Sequence, residues 1–582
     1  MSSRESSLNL WTLLVQYLRP QWAKVLFLTV LLLTSTGLEL WVPQVMRDFL
    51  DAAERKEVLS TLTQFAVIYL VVAVIKQVLG AAALYLGADV GWTATNRLRL
   101  DLMRHVFTLD MAFHKDHTPG EMIERIDGDI TALSNFFAQF SIRVFGALLL
   151  LLGVLVLFWK ENPWVGLGMT VFVAFALLVL FRVRRIAVSA SEQEREANAK
   201  MYGFIEERLA GLEDLRSLGA GKHTLFRFQE VSRLYFDQST RAHFGRAGIW
   251  LIMLALFAVG FIVALSFGVG LYLAGVISLG TAYLFFQYMS LIEAPIDQVT
   301  QQFQELQKVI ASVQRINALF ELKSNLPQGV LELPTEGFAV DVQDLSFGYE
   351  ENPVLHNISF ALKPGQVLGL LGRTGSGKTT LTRLLLGFYE SNTGSIRLGG
   401  IPTHDLKRSS LRRGVGVVTQ DIQLFHASIR DNLTFFDPHV SDRHIEAALR
   451  DIGLSSWLER QPQGLDTLLE SGGSGLSAGE GQLLALARIF LADPGLVILD
   501  EPSSRLDLAT EMLLERAIDR LLQGRTAIII AHRLETIERV DQVLILSEGK
   551  VLEWGPKEQL LSRPQSHFSV LLRAGEMDLE LA

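Results

Sequence analysis

Six times before residue 300 the chain turns apolar for long enough to cross a bilayer, near 22–43, 62–88, 140–159, 163–183, 247–272 and 276–294. A helix rising 1.5 Å per residue needs about 20 such residues to pass about 30 Å of hydrocarbon. The recurrence predicts an all-α transmembrane bundle of six long helices. Connections one to two, three to four and five to six are short, whereas two to three and four to five run for about fifty residues or more, so the long connections share one side. That side carries Arg97, Arg99 and Arg104, then Arg182, Arg184 and Arg185, and the excess of positive charge makes it cytoplasmic together with both termini. Trp159 and Trp164 flank the turn expected at the opposite interface.

The long connections read as polar helical continuations of the spans, each with a break. One break runs from Phe113 and His114 through Thr118-Pro119-Gly120-Glu121, and the other lies around Ala210-Gly211-Leu212-Glu213-Asp214. A short transverse helix and a simple turn both fit such a break. Charge within the spans is scarce: Glu39, Lys76 and Glu293 are the exceptions. They sit either on a water-filled substrate path or as snorkelling and paired groups near span ends. Tyr283, Phe285, Phe286 and Tyr288 either line a cavity for apolar cargo or face core and lipid.

At 582 residues, 49% hydrophobic and 20% charged, the chain is apolar for a soluble protein and long enough for three or four domain equivalents. Its net charge of −9 argues against nucleic acid as a partner, because phosphate-backbone affinity comes from Lys and Arg. The absence of cysteine excludes disulfides, thiolate metal sites and cysteine nucleophiles. The first twenty residues, with Arg4, Glu5 and Arg19, lack the pattern of a removable signal peptide.

Turn-forming residues between about 321 and 336 mark a linker from a transmembrane domain (1–320) to a soluble α/β domain (337–582). Val367 to Leu371, Leu496 to Leu499 and Thr526 to Ala531 read as buried parallel strands. The first strand leads into Gly372-Arg373-Thr374-Gly375-Ser376-Gly377-Lys378-Thr379, a complete phosphate loop followed by Thr380. Glycine amides at this spacing curl around phosphates, Lys378 reaches the β and γ oxygens, and Thr379 offers a hydroxyl to Mg²⁺. Asp500 and Glu501 end the second strand and His532 ends the third, so all gather at the carboxyl edge of one sheet. There Asp500 suits a Mg²⁺-holding carboxylate, Glu501 a group that orients or deprotonates the attacking water, and His532 a contact to that water and the γ-phosphate.

In this order the motifs resemble the ATP-binding cassette (ABC) family over nearly the whole chain: Tyr349, the phosphate loop, Gln420, Leu476-Ser477-Ala478-Gly479-Glu480, Asp500-Glu501, Asp507 and His532. Six spans before one cassette resemble an exporter-type half-transporter, two of which make one machine. The resemblance implies that ATP and Mg²⁺ are bound, that Tyr349 stacks on adenine, and that Gln420 links Mg²⁺ to the membrane domain. It further implies that Asp507 contacts across the dimer and that Ser477 and Gly479 face the partner's nucleotide. The loop breaks would then be coupling helices.

The signature departs from the family's Leu-Ser-Gly-Gly-Gln, with Ala478 for a glycine and Glu480 for glutamine. Ser477 followed three residues later by Glu480 is a capping box, predicted to start a helix to about Leu491. Upstream, Glu470-Ser471-Gly472-Gly473 departs from the usual Gly-Glu-Arg-Gly. A full Walker set beside a modified signature resembles the hydrolytically intact partner of a heterodimer; the alternative is a homodimer that tolerates the variant. The expected activity is ATP-driven export of a hydrophobic or amphipathic solute, a small molecule, lipid or peptide, across a bacterial inner membrane. An importer on the same frame, as for siderophores, is the alternative, ahead of a non-transport cassette ATPase.

Overall fold

The computed structural model describes residues 10–137, 141–324, 326–334, 336–350, 352–420, 422–473, 475–500, 508–531 and 537–573. The chain divides into two compact units, one holding 1–108 and 117–323, the other 109–116 and 324–582.

The first unit is helical: α1 (Leu10–Leu18), α2 (Trp22–Glu54), α3 (Leu59–Val106), then, after α4 (Met111–Asp116) of the other unit, α5 (Pro119–Ile123), α6 (Asp129–Asn135), α7 (Ser141–Glu161), α8 (Pro163–Ala210), α9 (Leu212–Ser217), α10 (Gly221–Leu273) and α11 (Leu279–Glu321). Both breaks in the long connections are therefore short helices, α4 and α9. At 48 residues α8 is about 72 Å long, more than twice the hydrocarbon thickness, so its polar half continues past the span. The turns are written in the sequence. Asn162 accepts from the Trp164 amide at 2.9 Å with Pro163 in the first turn, and Ser278 caps α11 through the Thr281 amide at 3.1 Å.

Five of the six expected spans, in α2, α3, α7, α8 and α10, are long and apolar enough to cross a membrane. The sixth, at the start of α11, is helical where expected but falls short of the others in apolarity, being interrupted by Tyr283, Gln287, Tyr288 and Glu293. Burial explains the difference. Leu284, Phe285, Tyr288, Met289, Ile292 and Ile296 are fully buried in a core with Phe158 of α7 and Met169 of α8, so this helix owes less of its surface to lipid. Phe285 and Tyr288 thus face core, with the Phe158 ring 5.7 and 5.6 Å away. Gly260 lets α10 approach: a β-carbon there would stand 2.4 Å from Met289 Cε and 2.5 Å from Phe172 Cζ.

Several polar groups in the bundle are paired. Lys76 of α3 donates to Glu39 of α2 at 2.8 Å, which is the paired arrangement, and Glu293 is exposed on α11. At the end of α2, Arg47 binds Glu161 of α7 at 3.0 Å, while Asp51 accepts from Ser278 Oγ and the Gly280 amide, both at 2.8 Å. One helix end thereby ties down both neighbouring turns. Gln44 Nε2 donates to the Tyr288 hydroxyl at 3.1 Å, satisfying a polar atom that burial would otherwise strand.

The second unit is α/β. In chain order it holds β1 (Val340–Tyr349), β2 (Asn352–Leu362), β3 (Val367–Gly372), α12 (Lys378–Leu385), β4 (Thr393–Leu398), β5 (Ile401–Pro402), α13 (Arg408–Gly414) and β6 (Val415–Val418). After these come α14 (Ile429–Thr434), α15 (Asp442–Asp451), α16 (Ser455–Glu459), α17 (Ala478–Ala492), β7 (Leu496–Asp500), α18 (Leu508–Leu522), β8 (Thr526–Ile530), β9 (Gln542–Ser547) and β10 (Lys550–Pro556). A four-stranded antiparallel sheet runs β2-β1-β4-β5, and a six-stranded sheet runs β10-β9-β3-β8-β7-β6. In the larger sheet all neighbours from β9 to β6 pair in parallel, and β10 closes one edge antiparallel. The residues of β3 and β8 are all buried, the reason both read as unbroken apolar runs.

Candidate nucleotide site

The three expected strands, β3, β7 and β8, lie side by side with β8 in the middle. Gly372 and Asp500 therefore end strands on the same edge of the sheet, one strand apart, at the place where open parallel sheets bind ligands.

Between β3 and α12 the phosphate loop is shaped by its glycines. Gly372, Gly375 and Gly377 have φ of +148°, +84° and +102°, conformations that a side chain resists. Space forbids one as well: a β-carbon on Gly372 would lie 2.3 Å from the Leu546 carbonyl oxygen, and one on Gly377 2.5 Å from Leu355 Cδ2. Arg373, Thr374 and Gly375 are exposed at the rim, while Ser376 and Lys378 are buried. The Lys378 ammonium donates to the Gly372 carbonyl and, at 3.1 Å, to that of Arg373. Ser376 Oγ is buried with no hydrogen-bond partner. A buried cation, an unsatisfied hydroxyl and the amides at a helix start fit a polyphosphate.

Oxygen donors for a hard cation follow the same edge: the Thr379 hydroxyl in the first turn of α12, the Gln420 amide beyond β6, and the Asp500 carboxylate. That set suits Mg²⁺. Glu501, Asp507 and His532 lie outside the described residues.

Tyr349 ends β1 in an aromatic cluster. Phe347 and Tyr389 meet its ring nearly edge-on, at 5.1 Å and 83° and at 5.2 Å and 88°. Its hydroxyl accepts from Arg383 Nη1 at 3.2 Å and lies 3.4 Å from Thr380 Oγ1, so Tyr349 and the phosphate-loop helix are joined. Burial, reinforced by neighbouring Tyr349, raises the Tyr389 hydroxyl above its ordinary range. Over the Tyr349 ring, 4.3 Å from its centroid, stands the ammonium of Lys115 from α4. The other end of this segment is held separately: Ser324 Oγ donates to Asp110, and Arg408 Nη2 lies 3.5 Å from Ser324 Oγ.

Ser477 and Gly479 occupy the start of α17, where the predicted capping box is formed. Ser477 Oγ accepts from the Glu480 amide at 3.2 Å, and Glu480 Oε2 accepts from the Ser477 amide at 2.8 Å. The acid is thus turned back onto its own backbone. Gln420, Leu424, Gly473, Ser477 and Gln482 line one cavity of about 420 Å³, so Gln420 and the signature share a site whose lining does not include the phosphate loop.

Three residues beyond those expected matter here, Lys115 above and two at the signature helix. Arg488 of α17 donates to the carbonyls of Asn432 at 2.8 Å and Gln423 at 3.1 Å and covers the Phe435 ring. Asn432, itself buried, bonds the backbone of Phe425, Ala427 and Ser428. Together they fix the segment after Gln420 to the signature helix. The signal was present: Arg488 is the one charged residue in the apolar run from Leu483 to Leu491. Lys115 had no comparable mark, since its partner is remote in sequence.

A family model described as ABC transporter transmembrane region matches residues 25–296, and one described as ABC transporter matches 355–504. The chain is 31% identical over 479 residues to the uncharacterized ABC transporter ATP-binding protein YfiC of Bacillus subtilis, covering 82% of this chain and 79% of that protein. It is 30% identical over 597 residues to the ATP-dependent lipid A-core flippase of Pseudomonas fluorescens, covering 98% and 97%. The solved structure of a bacterial Atm1-family ABC exporter with ATP bound has the same fold, with a TM-score of 0.80 at 22% identity over 96% of this chain and 98% of that one.

Proposed function

We propose, from the premise that the chain belongs to the ABC transporter family and is a multi-pass membrane protein performing ATP-driven export, a specific division of labour. Residues 1–320 form the transport domain, 321–336 the linker and 337–582 the cassette. The observation that carries the site assignment is the phosphate loop, with β-carbons excluded at Gly372 and Gly377, positive φ at all three glycines and a buried Lys378.

In this reading Gly372 to Thr380 hold the triphosphate and Tyr349 stacks on adenine. Thr379, Gln420 and Asp500 hold Mg²⁺, which when bound neutralises charge on the transferring phosphoryl group. Glu501 orients the attacking water and takes its proton, and His532 contacts that water and the γ-phosphate. Asp507, Ser477 and Gly479 act across the dimer. Lys378→Ala weakens ATP binding itself, whereas Glu501→Gln retains ATP in a closed dimer. Hydrolysis by Glu501→Gln at the parental rate would remove Glu501 from the role of base.

The cargo proposed is hydrophobic or amphipathic, a class supported by the lipid named for the flippase relative. ATP-dependent uptake of labelled lipid analogues and amphipathic dyes into inside-out vesicles tests it; no accumulation of any of them counts against this class. The proposed partner is a second, different half-transporter, the reading favoured by Ala478 and Glu480 in the signature. The closed capping box favours the other reading, a homodimer, because it shows the acid absorbed locally. Purification of the chain expressed alone separates them: a stable dimer with full ATPase activity sinks the heterodimer.

A further inference from the structure

We infer that Lys115 is a positioning residue that competes with adenine for the Tyr349 ring, so that filling the nucleotide site releases one end of α4. The inference rests on the proposed assignment of Tyr349 to adenine. The ring is anchored at its hydroxyl and flanked by two aromatic neighbours. Its hydroxyl is held by Arg383 and Thr380, and Phe347 and Tyr389 brace it nearly at right angles. An ammonium 4.3 Å from the centroid lies well within the range of cation–π attraction. A stacked purine needs the layer about 3.5 Å above the same carbons, so the two exclude one another on that face.

Lys115 is the member able to leave. It is exposed, and its charge rides on a flexible four-carbon stem. The far end of the segment has no such freedom, because Asp110 is bound by Ser324 and Ser324 lies against Arg408. Asp116, next to Lys115, is near enough to the same aromatic cluster to act electrostatically on Tyr389. The segment thus has one constant attachment and one that nucleotide removes. It lies in the chain between α3 and α5.

The test uses the purified full-length transporter, Mg²⁺-free and cold, titrated with ribose-labelled N-methylanthraniloyl-ATP, with ATP and inorganic tripolyphosphate as competitors. The ratio of ATP affinity to tripolyphosphate affinity isolates the adenine contribution from the loss of a positive charge. Lys115→Ala is expected to raise that ratio about two- to fivefold, the strength of an exposed cation–π contact no longer broken on binding. Lys115→Arg, which keeps charge and ring contact, leaves it at the parental value, and Lys115→Ala has no effect in a Tyr349→Ala background. An unchanged ratio in Lys115→Ala overturns the inference, and a lowered one does so by showing adenine held between lysine and ring. If Tyr349→Ala retains parental ATP affinity, the adenine assignment itself falls. If it loses affinity while Lys115→Ala changes nothing, only the role of Lys115 falls.

Discussion

The capping box at the signature permits a quantitative prediction. Glu480→Ala removes the acceptor of the Ser477 amide and leaves the Ser477 Oγ bond to residue 480 in place. Loss of that one hydrogen bond costs about 0.5–1.5 kcal/mol, and loss of an acid from the first helical turn adds about 0.3–1 kcal/mol when exposed. Against this stand the almost wholly buried Leu483, Leu484 and Leu486, each contributing about 1.5–3 kcal/mol. Packing wins, so α17 survives and only its first turn loosens. In a cassette-sized domain about 1 kcal/mol lowers Tm by about 2–4 °C, and differential scanning fluorimetry should show a fall of that size. Glu480→Gln retains an acceptor oxygen and should lose less than half as much, with parental ATPase activity because the native carboxylate already faces its own backbone. Equal losses in both variants would mean that charge, not the cap, sustains the turn. No loss in Glu480→Ala would show the box to be idle.

Gly377→Ala combines a φ of +102° with a β-carbon 2.5 Å from the Leu355 methyl, a strain of about 1–3 kcal/mol; nucleotide titration should show binding lost while the helical unit keeps its Tm. The Glu194 carboxyl, on α8 beyond the span, is held below the ordinary carboxylate range by hydrogen bonds from Arg246 of α10 and then Ser239. A lowered pKa means that its stabilisation is present at neutral pH and lost as pH falls through that lowered value. The fall in Tm on acidification should therefore be shallower in Glu194→Gln; identical pH profiles would rule the pair out as a contributor.

Much of this was legible because the physics was local. The apolar stretches, the phosphate-loop glycines and the Ser477–Glu480 box each depend on residues within a few positions of one another. The pairing of Lys76 with Glu39 is different in kind: sequence shows two charges in apolar surroundings, and only the packing of α2 on α3 decides that they meet. Lys115 on Tyr349 was not legible, and Arg488 was marked only as a lone charge in an apolar run, because the Gln423 and Asn432 carbonyls it binds belong to a segment that only the tertiary fold brings near. The reduced apolarity of α11 has a related cause. A sequence window weighs a helix as though lipid surrounded it, whereas α11 is surrounded largely by protein.

That enclosure of α11 bears on how the chain is built during synthesis. Tyr283, Gln287, Tyr288 and Glu293 make this helix a poor candidate for partition into lipid by itself, and its comfort in the bundle comes from Phe158 on α7, Met169 on α8 and Gln44 on α2. All three have left the ribosome before it does. The order of the sequence is therefore an order of assembly, with the helix that most needs company made when its company is already in the membrane. The cassette, translated after it, folds on a chain whose last crossing depends on the five before.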